Sequence, residues 1–109
     1  MSWLHFVSWF CGGAVLANAV PHAVSGLMGR PFQSPFARPR GEGLSSAATN
    51  VAWGFFNLAL GYLLLARVGS FDPHDLACMG TAFAGALLLS LCMARHFGRF
   101  NGGNTPERR

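Results

Sequence analysis

Three stretches of this chain, residues 1–29, 43–66 and 76–94, contain no Asp, Glu, Lys or Arg. Crossing a hydrocarbon core of about 30 Å takes about 20 mostly apolar residues, each rising 1.5 Å along a helix. A helix also satisfies its own backbone amides, which lipid does not do for it. The chain is therefore expected to be an all-α membrane protein with three transmembrane helices, near residues 3–28, 45–67 and 73–97. A Pro-rich loop over 29–44 joins the first two helices, and a basic tail runs over 98–109, all within one membrane domain. Composition agrees with this reading. Charged residues are 11% of the chain, against roughly 25% in soluble domains. Little of the 109 residues is left over for a soluble catalytic domain.

Capping residues refine the boundaries. Asp72-Pro73-His74-Asp75 suits the start of the third helix, with Asp72 as N-cap and Pro73 in the first helical position. Gly98 is the expected stop of that helix. Ser45 or Ser46 opens the second helix, and Gly29-Arg30-Pro31 closes the first, because a residue before proline leaves helical geometry. Ala17-Asn18-Ala19 has the form of a signal-peptidase site, but no basic residue precedes it and the apolar run continues to Met28. The first helix is expected to stay in place.

All eight basic residues are arginines. Arg30, Arg38 and Arg40 lie in the first loop; Arg95, Arg99, Arg108 and Arg109 follow the third span; Arg67 stands alone in the second loop. Arginine bias places the first loop and C-terminus in the cytoplasm, so the orientation is N-out, C-in. Pro31, Pro35 and Pro39 keep the first loop from becoming a helix or an interior strand. Phe32 and Phe36 would then dip into the headgroup zone, while the loop arginines reach anionic phosphates. The bilayer is the expected partner of these arginines, and nucleic acid is not. A docking loop for a protein partner is the alternative.

Inside the spans, Asn18, His22, Ser25 and Gly29 share one face of the first helix, and Asn50, Gly54, Asn57 and Gly61 share one face of the second. Small residues let membrane helices approach closely, and amides hydrogen-bond across them. Gly54 and Gly61, with Gly80 and Ala84 of the third helix, are the expected packing positions, and Asn50 is the expected partner of His22. Pro21 should kink the helix beside that histidine. His22 reads either as a neutral packing residue or as a proton, solute or metal site. No HExxH motif, paired intramembrane carboxylate or phosphate-cradling loop occurs, so neither an enzyme nor a bound metal or cofactor is expected. Cys11, Cys78 and Cys92 form no CxxC pair and no disulfide framework.

The runs Val20-Pro21-His22-Ala23-Val24-Ser25-Gly26-Leu27-Met28-Gly29-Arg30-Pro31-Phe32-Gln33-Ser34-Pro35-Phe36-Ala37 and Asn50-Val51-Ala52-Trp53-Gly54-Phe55-Phe56-Asn57-Leu58 resemble a group of small bacterial integral membrane proteins. The resemblance covers roughly the first 65 residues. It implies a bacterial inner-membrane setting and no particular activity. The expected function is helix association, as a homo-oligomer or as an accessory subunit of a larger membrane complex. The alternative is a small oligomeric channel or transporter with a polar pathway around His22.

Overall fold

A computed structural model describes residues 2–106 of the chain. The order of elements is α1 (Trp3–Leu27), β1 (Phe32–Gln33), β2 (Leu44–Ser45), α2 (Ala47–Ala66) and α3 (Leu76–Asn101). Each helix is long and apolar enough to cross a membrane.

Local chemistry sets the helix ends. The Ser2 hydroxyl accepts the Leu4 N–H at 3.1 Å and opens α1. At the other end Gly29 takes a left-handed φ of 75°. Its N–H bonds to the Gly26 carbonyl at 2.9 Å, and the Arg30 N–H bonds to the Ser25 carbonyl at 2.8 Å, a Schellman cap. Ser46 caps α2 by accepting the Thr49 N–H at 3.2 Å.

The third helix differs from expectation at both ends. Asp72 does not cap it; its carboxylate and carbonyl close a turn by accepting the His74 N–H at 2.9 Å and the Asp75 N–H at 3.0 Å. Asp75 is the N-cap, receiving the Ala77 N–H at 2.9 Å. Gly98 does not end the helix either. A side chain there would strike Asn104, which folds back to donate to the Arg95 carbonyl at 2.7 Å. The stop is Gly102, at φ 83°. Residues 98–101 therefore belong to α3 rather than to the basic tail, and Arg108 and Arg109 lie outside the described residues.

The first helix is the centre of the arrangement. It packs along both α2 and α3, which make at most glancing contact with each other. Glycine makes both seams close. Against α2, a Cβ on Gly54 would lie 2.7 Å from the Ala23 nitrogen, and one on Gly26 would lie 2.5 Å from the Ala47 carbonyl oxygen. Gly61 sits against Leu16, and Gly12 against Leu64 and Leu65. Against α3, a Cβ on Gly13 would overlap the Ala82 carbonyl, and one on Gly85 the Phe10 carbonyl. Cys78, Ala82 and Gly85 are thus the buried face of α3. Gly80 and Ala84, the expected packing residues of this helix, lie on an exposed face instead, and a Cβ on Gly80 meets open space.

The loop between α1 and α2 is folded. Phe32 pairs with Ser45 and Gln33 with Leu44 in a short antiparallel ladder. Pro35 and Pro39 fall in the turn beyond this ladder, where a missing N–H is harmless. The Ser34 hydroxyl bonds to that of Ser45 and accepts the Phe36 N–H at 3.1 Å, and Ser34 is buried.

Candidate functional site

The polar residues of the spans meet in the seam between α1 and α2. The two helices run antiparallel, and two side chains four residues apart on α1 meet two that are seven apart on α2. Asn18 donates through Nδ2 to Asn57 Oδ1 at 3.1 Å, and Asn57 donates to the Trp53 carbonyl at 2.7 Å. Nearer the loop, about one turn along α1 and two along α2, His22 Nδ1 and Asn50 Oδ1 are 2.7 Å apart, with both side chains buried. Ser25 is half-buried and enters the α1 cap through its carbonyl.

Asn50 is the hub of this end of the molecule. Its Nδ2 donates to the carbonyls of Phe32 at 3.2 Å, Ser45 at 3.2 Å and Ser46 at 3.1 Å. The amide nitrogen is committed to carbonyls, so the amide oxygen is the atom that faces His22. The imidazole must then carry its hydrogen on Nδ1 and donate it. One asparagine thus joins α1, both strands of the loop and the cap of α2. In a low-dielectric interior such a network is worth having only when each member is satisfied.

Aromatic rings close around the histidine. Phe32, Trp53 and Phe97 meet His22 edge-on, with centroids at 5.5, 6.4 and 6.1 Å. Phe32 therefore turns inward and lies 4.8 Å from Phe97, rather than reaching for headgroups. Phe36 is the loop aromatic left at the surface, edge-on to Trp53 at 5.0 Å. Arg30, Arg38 and Arg40 are all exposed.

The far end of α3 grips the same loop. Asn101 donates to the Gln33 side chain at 3.2 Å, and His96 Nε2 donates to the Gly41 carbonyl at 2.7 Å. Gln33 and Asn101 escaped the sequence reading because neither belongs to a periodic pattern. Trp9 escaped it too: fully buried, it donates to the Val68 carbonyl at 2.8 Å and ties α1 to the chain leaving α2. The Gly12-Gly13 doublet was the available signal for the α1 seams.

Chemically the cluster is a set of donors and acceptors paired across the seam, beside a Trp53 Nε1 that is buried without a partner. Among the described residues no three of His, Cys, Asp or Glu come together as a ligand set for a metal. The three cysteines are free thiols, with Cys11 and Cys92 exposed and Cys78 buried. Comparison with protein-family models, with curated proteins and with solved structures gives no match.

Proposed function

We propose that the protein works by helix association in a bacterial inner membrane, as a homo-oligomer or as an accessory subunit of a larger membrane complex. The observation that carries this reading is a run of small residues on α3 that no helix of the chain covers. Ala77, Gly80 and Ala84 are exposed on the side opposite Cys78, Ala82 and Gly85. The other face is occupied by α1, with Gly85 against the Phe10 backbone. Small residues three and four apart are how membrane helices come within backbone distance of a partner. The pairing of Asn18 with Asn57 and of His22 with Asn50 across one seam favours a packing role for them over a conducting one.

In this reading the arginine-rich loop and the C-terminus face the cytoplasm, following the arginine bias. The test is the mass of the protein, and of whatever co-purifies, in mild detergent. Gly80→Leu and Ala84→Leu should reduce the assembled mass or the partner content while leaving thermal stability intact, since both sites are exposed. Assembly unchanged by either substitution would overturn the proposal.

A further inference from the structure

We infer that the surface of α2 beside the loop is a binding site for one anionic phospholipid, with an acyl chain in an aromatic groove and the headgroup on the loop arginines. The inference rests on the membrane-spanning reading of α2 and is separate from the α3 surface proposed for association.

The groove is lined by Phe36, Thr49, Ala52, Trp53 and Phe56 and encloses about 480 Å³. That lies within the roughly 300–1,000 Å³ of small-molecule sites. Its walls are almost wholly apolar: Trp53 stacks on Phe56 at 5.6 Å, and Phe36 stands perpendicular to Trp53 at 5.0 Å. Along α2 it runs from the first turn, at Thr49, to Phe56, about 10 Å of helix at 1.5 Å per residue. A groove of this kind starts at the headgroup level and descends into the hydrocarbon, which suits a lipid chain rather than a soluble ligand.

Charge at its mouth selects the headgroup. Phe36 forms one wall, and Arg38 and Arg40 follow it on the same turn. Consecutive Cα atoms are 3.80 Å apart, so the Arg38 side chain starts within about 8 Å of the groove wall, inside the reach of a guanidinium. With Arg30, the loop carries three exposed arginines against the single acid Glu42, and among the described residues no ion pair engages them. The turn is held in place by its own bonds, including Gly41 N–H to the Ser34 carbonyl at 2.8 Å. Phosphate oxygens are the complementary ligand for such a cluster.

Native mass spectrometry of the full-length protein, given phosphatidylglycerol or phosphatidylcholine in detergent, tests the assignment. Wild type should retain one phosphatidylglycerol per chain in preference to phosphatidylcholine. Ala52→Trp, at an exposed site, fills the groove and should abolish retention of both. Phe36→Ala removes a wall and should weaken retention. Arg38→Gln with Arg40→Gln should erase the preference for the anionic lipid by roughly tenfold. Equal retention of the two lipids by wild type, or undiminished retention by Ala52→Trp, would overturn the inference. So would loss of a dimer rather than of lipid in Ala52→Trp, because the occupant would then be a second copy. The same spectra report the assembled mass, so failure here is distinguishable from failure of the association reading.

Discussion

His22 Nδ1 donates across 2.7 Å to Asn50 Oδ1, and the acceptor's own nitrogen holds three carbonyls of the loop and the α2 cap. A histidine near the end of an apolar helix is therefore coupled to the folding of the loop that follows it.

That coupling predicts how substitutions at the histidine behave. His22→Gln keeps an N–H donor at similar reach and should be tolerated. His22→Leu leaves Asn50 Oδ1 buried without a donor and should cost about 1–2 kcal/mol, the upper range for membrane hydrogen bonds. Thermal unfolding in detergent measures both. A Leu variant as stable as wild type would show that the bond contributes nothing.

Asn50 should be the more sensitive of the pair. Asn50→Asp keeps the shape but turns the donor toward three carbonyls into a carboxylate oxygen. His22 can still donate to it, but the carbonyls lose their donor and face an acceptor, a loss of about 3 kcal/mol at the upper end for unsatisfied buried groups. The loop should also come loose, so trypsin should cut after Arg40 faster in this variant than in His22→Leu. Equal cleavage rates would mean that the strand pairing holds the loop without Asn50.

The two small-residue faces of α3 should respond in opposite ways. Gly85→Leu places a side chain where the Phe10 carbonyl already lies, so the folded monomer should be lost, seen as aggregation on size-exclusion chromatography. Gly80→Leu meets open space and should leave the monomer's melting temperature within about 2 °C of wild type. A Gly85 variant that melts like wild type would mean that α1 and α3 do not meet there.

Orientation is checked with fusions. A reporter after Arg109 should read as cytoplasmic, and one inserted at Ser70 as periplasmic, because seven of the eight arginines lie in the first loop, in the last turns of α3 or beyond it. A periplasmic C-terminus would reverse the assignment.

The α1–α2 seam was readable in advance because each of the two helices carries its polar residues on one face. Asn18 and His22 on one helix, Asn50 and Asn57 on the other, leave few ways to pair in an antiparallel hairpin. The third helix was not readable in the same way. It is small on two sides, with Gly80 and Ala84 on one and Ala82 and Gly85 on the other, and composition does not say which side meets α1. Its start was ambiguous for a related reason, since Asp72 and Asp75 are both competent caps and only the turn between them decides. The loop ladder is two residues long, too short for any alternation to announce it, and the inward turn of Phe32 follows from that ladder.

The central position of α1 also bears on the order of events during synthesis. Chains emerge N-terminus first, and α1 is the helix on which both others pack. Once α2 has left the ribosome, the α1–α2 hairpin can close its glycine seam, and Asn50 can reach His22 and the loop carbonyls, with α3 yet to emerge. Phe97 and Asn101 arrive last, from the far end of α3, and they reach a loop whose strands are already paired. The final helix then acts as a latch on a nascent hairpin, and a released chain truncated before Leu76 would be an intermediate in which α1 lacks its second neighbour.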